Sequence, residues 1–417
     1  MKKIKLDDYI KLLTDYHSGG SYKTLKENTK ILHKPDYAVM IRTLNFERND
    51  FKNDLIYCDE ASYNFLEYSH VVENDILMNK IANPGSVYIM PKVNYNCTCG
   101  MNLFLIRFKN INQRYMYYVM KNNEGYIKSK AHGTTTKTIT KDEVRDLEFK
   151  IHETKEEQDK VEKLLTNIDS KIELNTKVKD ILEEMMKTLY QRWFLEFEFP
   201  NEEGKPYKSS GGKLVYNELL KRNIPEKWDS KNIMDFVTWE GTSQPPKSCF
   251  IYEYKEGYIR FIQNRDYDDS SHMTYIPENM ALSKCNRYDI LMDKYGDAGR
   301  TRFGLEGAYN VALSKISVDD VSYREYIRSV LNSESVYNYL HNSSMASTRA
   351  SLNENNISYI NIVVPDKNII EQYNKFANNY IETQLQIYDE NKRLTELRDY
   401  LLPMLMNGQI NVDDVQI

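Results

Sequence analysis

The chain has 417 residues, 41% of them hydrophobic and 28% charged, with a formal net charge of −5. That is too long for one core and suits two or three domains. The acidic balance excludes a protein that coats nucleic acid by bulk positive charge, though not a reader whose cations are confined to one face.

Residues 1–150 read as a first globular unit of mixed strands and helices, an α/β or α+β pattern. Tyr37 to Arg42 and Met101 to Phe108 are the expected strands, with Asp75-Ile76-Leu77-Met78 leading into the Asn83-Pro84-Gly85 turn. Cys97-Thr98-Cys99 lacks the second ligand pair that a zinc site requires, so no metal is expected. Five cysteines without framework spacing fit a reducing compartment, and no apolar run or leader-like start suggests export or a membrane span. The expected location is the cytoplasm.

Residues 151–200 hold one long amphipathic helix from Thr154 to about Trp193. Thr154 and Glu157 form a capping-box pair. Val161, Leu164, Leu165, Ile168, Ile172, Val178, Ile181, Leu182, Met185 and Leu189 then recur with helical period. At 1.5 Å per residue, a helix of about 40 residues is roughly 60 Å long, so its stripe needs a cover. Residues 201–222 read as a polar Gly/Ser/Pro linker, 223–364 as a second globular unit, and 365–411 as a second long helix opened by the cap-like pair Asn368 and Glu371. That second helix is the expected cover.

The two halves are a duplication. Val178, Ile181, Met185 and Leu189 match Leu394, Leu397, Leu401 and Leu405 at a constant offset of 216, and Asp289-Ile290-Leu291-Met292 repeats Asp75-Ile76-Leu77-Met78. Asn175 matches Asn391 and shares a heptad position with Val161, Ile168, Leu182 and Leu189. Buried Asn at a seam fixes register, so the pair points to two helices with one alignment. Between the matched anchors the loops differ: Asn83 to Val87 faces Gly296 to Arg302, and His132 to Lys137 faces Met345 to Arg349.

Catalytic patterns are missing. Asn83-Pro84-Gly85-Ser86 lacks the second Pro and the aromatic that hold a target adenine amine, and Gly204 to Lys213 fails phosphate-loop spacing. Asp146 with Glu153-Thr154-Lys155 only loosely mimics a magnesium-dependent nuclease core, and helix capping explains those residues better.

Leu189-Tyr190-Gln191-Arg192-Trp193-Phe194, Ile224-Pro225-Glu226-Lys227-Trp228, Pro365 with Glu371-Gln372, and Leu397 to Ile410, taken in that order with the repeat, closely resemble the specificity subunit of type I restriction-modification systems. The resemblance covers essentially the whole chain. It implies two target recognition domains separated by two long antiparallel coiled-coil helices, each domain reading one half of a split site in double-stranded DNA. It also implies a non-catalytic chain that binds no cofactor and works with two methyltransferase subunits using S-adenosylmethionine, and with a translocase-nuclease subunit. A specificity partner of a type II or phage-defence adenine methyltransferase is the alternative. The Pro-x-x-Trp entry before the second domain is absent before the first.

Base reading is then expected from the divergent loops, because Arg and Lys suit guanine and Asn suits adenine. The candidates are Arg42, Asn45, Lys80, Thr135, Thr136 and Lys137 in the first unit. In the second they are Arg260, Asn264, Arg265, Lys294, Arg300, Arg302 and Arg349.

Overall fold

A computed structural model of the chain describes residues 1–268, 272–345 and 351–415. It divides into two compact units, Met1–Glu173 with Arg393–Ile417, and Leu174–Lys392. Each unit thus takes one globular part and a portion of both long helices.

In the first unit, β1 (Lys2–Lys5), β2 (Ile10–Asp15), β3 (Ala38–Ile41), β4 (Tyr57–Cys58), β5 (His70–Val71), β6 (Ile76–Asn79), β7 (Val87–Ile89), β8 (Asn96–Cys99), β9 (Leu103–Phe108) and β10 (Glu148–Ile151) alternate with short helices. Two four-stranded sheets have the orders β2-β9-β6-β7 and β4-β3-β8-β5, and β1 pairs with β10. The first sheet is antiparallel, whereas β3 and β8 run parallel. Strands β6 and β9 are apolar without alternation because both faces are covered. Ile76, Met78, Phe104 and Ile106 enter the core shared with the helices, while Leu77, Leu103 and Leu105 face the other sheet.

The second unit contains β11 (Leu214–Asn217), β12 (Arg222–Pro225), β13 (Asp229–Asn232), β14 (Val237–Glu240), β15 (Tyr258–Ile262), β16 (Tyr275–Pro277), β17 (Lys284–Cys285), β18 (Ile290–Asp293), β19 (Thr301–Arg302), β20 (Gly307–Tyr309), β21 (Leu313–Val318) and β22 (Asn361–Val364). The orders β14-β21-β18-β19, β16-β15-β20-β17 and β13-β22 reproduce the first unit strand for strand, including the parallel pair β15 and β20. The β11-β12 hairpin is extra.

The stretch 201–222, expected as a linker, is folded against this second core. Phe199 stacks on Tyr207 and on Trp228 with ring centroids 4.7 and 4.5 Å apart, and the Tyr207 amide donates to the Phe199 carbonyl at 2.8 Å. Gly204 and Gly211 adopt the positive φ that its turns require. Composition marked the glycines, but three aromatic rings decide the outcome by burying area that a solvated linker would expose.

The first long helix runs from Lys155 to Tyr190 and closes in a π turn, Gln191–Leu195. Its capping box is formed: the Thr154 amide donates to Glu157 Oε2 at 3.1 Å and the Glu157 amide to Thr154 Oγ1 at 3.2 Å. The second helix spans Lys367–Met406. Asn368 is not its cap. The amide of Ile369 donates to the carbonyl of Asp366 at 2.9 Å, which puts Asp366, a favoured boundary residue, where Asn368 was expected.

In the first unit, Val161, Leu165 and Ile168 share a core with Leu401 and Leu405, and Asp169 accepts from Tyr118 Oη at 2.6 Å and from Arg398 Nη1 at 3.1 Å. In the second unit, buried Asn175 donates from Nδ2 to Asn391 Oδ1 at 2.8 Å and to Glu390 Oε2 at 2.7 Å. Four residues further along, the Lys179 carbonyl accepts from Gln384 Nε2 at 3.0 Å, so the two segments are antiparallel.

The expected cover over Val178, Ile181 and Met185 is not there. Together with Leu174 they are 44–60% exposed, while Asn175, Leu182, Met186 and Leu189 turn inward. One residue along a helix is a rotation of about 100°, so the amide-bearing face and the Val178 stripe are neighbours, and only one can face the second helix. Asn175→Ala should lower stability by about 1–3 kcal/mol by removing the donor shared by Asn391 and Glu390. Added to it, Asn391→Ala should cost much less than alone, and denaturant unfolding of the single and double variants measures the coupling.

Candidate nucleic-acid interface

In the first unit, Lys80 follows β6 and leads into a turn in which Gly85 has φ 90° and packs against Ile127, leaving no room for a side chain. The Ala82 amide donates to the Lys137 carbonyl at 3.1 Å, and Ile81 and His132 both bridge to Thr138. The structure therefore brings the Lys80 turn and the Thr135, Thr136 and Lys137 loop side by side, with those three residues exposed.

Lys80 itself is buried. Its Nζ lies 2.6 Å from Asp15 Oδ2 and 3.1 Å from His17 Nδ1, and Lys141 Nζ reaches Asp15 Oδ1 at 2.9 Å. Burial alone would push the Asp15 carboxyl up, but hydrogen bonds from Lys141 and Lys80 outweigh it and hold the group below the usual carboxylate range. His17 is held low by burial and then by the Lys80 charge. Lys80 thus anchors the loop from beneath and does not face outward, because a buried carboxylate demands a cation.

Arg42 and Asn45 stand on the turn after β3, which meets the Lys80 turn where the Thr43 hydroxyl donates to Asn79 Oδ1. Asn45 is buried, accepts from the Arg42 amide at 2.8 Å and donates to the Asp50 carbonyl at 3.1 Å, so its amide is spent holding the turn. The Arg42 side chain is half-buried against Asp54.

The corresponding turn after β15 repeats this cap, with the Gln263 amide donating to Asp266 Oδ2 at 3.0 Å. Asn264 and exposed Arg265 sit on it. Arg260 lies on β15 with Nε and Nη2 buried and no hydrogen-bond partner for either atom among the described residues. The loop after β18 carries Lys294, whose ammonium burial holds below its usual range, and exposed Arg300, 3.1 Å from Asp297. The Asp293 amide donates to the Arg300 carbonyl at 2.9 Å, closing that loop on itself.

Arg302, expected beside Arg300 as a base reader, is instead buried on Asp293 and Asp268. Burial drives the Asp293 carboxyl up to about 6 even so. Arg349 lies outside the described residues. The sequence reading missed Asp15, Lys141, Asp268 and Asp293. An acid at the end of a core strand, as Asp15 is in Ile10–Asp15 and Asp293 in Ile290–Asp293, was the available signal.

These surfaces consist of cations and amides on loops over a rigid sheet, and among the described residues no group of His, Cys, Asp and Glu could hold a metal. No helix among them is long and apolar enough to cross a membrane.

Residues 3–184 match the family model for the type I restriction modification DNA specificity domain. The chain is 24% identical over 420 residues to the type I restriction enzyme HindI specificity subunit of Haemophilus influenzae, covering 86% of this chain and 87% of that protein. It is 24% identical over 321 residues to the MjaIX specificity subunit of Methanocaldococcus jannaschii, covering 72% and 70%. A crystal structure of the type I restriction-modification S subunit from M. genitalium shares the fold with a TM-score of 0.58 at 14% identity, over 97% of this chain and 95% of that one. Residues 3–184 thus carry the likeness to that DNA specificity domain, and the similarity to specificity subunits of type I restriction enzymes extends over most of the chain, whose two halves repeat one sheet order.

Proposed function

We propose that each globular part reads one half of a bipartite DNA site and that the chain itself performs no chemistry. Methyl transfer to adenine would come from two partner methyltransferase subunits holding S-adenosylmethionine, in the cytoplasm, with a translocase-nuclease subunit as a further partner. The observation that carries this reading is the duplicated sheet order under loops of different sequence, which suits two modules that share a mounting and differ in what they recognise. Exposed Thr135, Thr136 and Lys137 in the first unit, and exposed Arg265 and Arg300 with half-buried Asn264 and Lys294 in the second, are the residues proposed to meet DNA; Arg42, Arg260 and Arg349 remain candidates. Buried Asn45, Lys80 and Arg302 are proposed to hold those loops in place.

The exposed stripe of Leu174, Val178, Ile181 and Met185 is proposed to receive helices of the methyltransferase subunits, since an apolar row of this length on a solvated helix is a typical interaction face.

Exchanging residues 224–362 for the same region of a relative should change one half of the methylated motif and leave the other intact, as read by methylome sequencing; a change in both halves would refute the two-module reading. Arg300→Ala should weaken binding by about 1–3 kcal/mol at sites with the preferred base if the guanidinium pairs with guanine, measured by competition between duplexes. Ile181→Asp with Met185→Asp should abolish co-purification with the methyltransferase subunit while leaving the circular dichroism of the chain unchanged, because both side chains are already exposed.

A further inference from the structure

Arg302 sits on the short edge strand β19, behind the Lys294 to Arg300 loop, and is buried. Its Nε and Nη2 lie 3.1 and 3.0 Å from Asp293 Oδ2, at the foot of that loop. Its Nη1 lies 3.2 Å from Asp268 Oδ1, immediately after the turn that bears Asn264 and Arg265. The same guanidinium faces the Tyr267 ring, 5.5 Å from its centroid. One planar cation therefore spans two segments distant in sequence, each carrying two of the residues proposed to read DNA. A guanidinium can do this because its donors are fixed in a fork, whereas an ammonium offers a single point charge.

We propose that Arg302 is a positioning residue of the second reading module: it meets no base, but locks the Asn264 to Asp268 turn to the Lys294 to Arg300 loop so that the two act as one recognition surface. This rests on the DNA-reading function proposed above.

Two further features support it. Asp293 Oδ1 meets no hydrogen-bond donor among the described residues, so Arg302 is the main compensation for this buried carboxylate, and removing the cation would force the foot of the loop to shift. In the first unit the loops are held by a differently built cluster, Asp15 between Lys80 and Lys141. Each module has its own lock, which ties a loop to the buried group beneath it.

Methylome sequencing of cells carrying the complete complex, with Asp268→Asn, Arg302→Lys or Arg302→Met, tests the proposal. Asp268→Asn removes the charge from the turn's side of the contact and leaves only a neutral amide oxygen to accept from Arg302, at a side chain that is 63% exposed, so folding is not at stake. It should leave the first half-site and the spacer unchanged. At sites with one substituted base in the second half, it should raise methylation roughly tenfold over wild type, the size of one lost base contact. Arg302→Lys should relax the same half-site, and Arg302→Met should relax it further. A second half-site as strict as wild type in both Asp268→Asn and Arg302→Lys would overturn the proposal. So would loss of methylation at every site in both, which is what a purely structural role predicts. If wild type itself yielded no two-part motif, the DNA-reading function would fail instead.

Discussion

Each unit is built around the burial of one portion of the long helices' apolar surface against its own globular part. Fully burying one Val, Leu or Ile side chain contributes about 1.5–3 kcal/mol. In the first unit Val161, Leu165 and Ile168 meet Leu401, Leu405 and Met406, and the same core continues into Tyr115, Val119, Phe104 and Ile106 of the globular part. In the second, Tyr190, Trp193 and Phe194 meet Tyr373, Ile370 and Tyr326 in one aromatic cluster. The helices are therefore part of each unit's core and not a tether attached to it. Asn175 and Asn391 interrupt the apolar seam of the second unit, and a buried amide is satisfied only in one alignment, which turns a general attraction into a defined register.

The duplicated sheets explain how two modules can keep one fold while differing in their surface. Strands such as β6 and β18 are covered on both faces, so their sequences are constrained to near-identity, Asp75-Ile76-Leu77-Met78 and Asp289-Ile290-Leu291-Met292. The loops that follow are constrained only by what lies beneath them. There each module has chosen its own buried ions, a carboxylate between two lysines in one and an arginine between two carboxylates in the other. Breaking a pair buried on both sides, Lys80 with Asp15 or Arg302 with Asp293, costs about 3–5 kcal/mol through the charge left unpaired, so a loop and its buried ion behave as one unit.

An acidic chain can still read DNA under these conditions. Phosphate contacts depend on local cations and not on net charge. Lys137, Arg265 and Arg300 are exposed on loops, whereas several other basic groups, Lys80, Arg302 and Arg328 among them, are neutralised inside their own domains. The formal charge of −5 is thus a poor guide to the potential over the loops.

The sequence by itself determined the two long helices to within a few residues, the Thr154 and Glu157 cap, the duplication and the pairing of Asn175 with Asn391. These rest on period, capping chemistry and internal repetition, all of which act between near neighbours or identical positions. Only the tertiary structure decided which helical face is covered, that the glycine-rich stretch 201–222 folds onto Phe199 and Trp228, and that Lys80, Asn45 and Arg302 are turned inward. Lys80 owes its burial to Asp15, 65 residues earlier, and Arg302 part of its own to Asp268, 34 residues earlier. Whether a cation points to solvent or to a buried carboxylate depends on partners that only the folded sheet brings within 3 Å or so, and no local pattern in the chain encodes that distance.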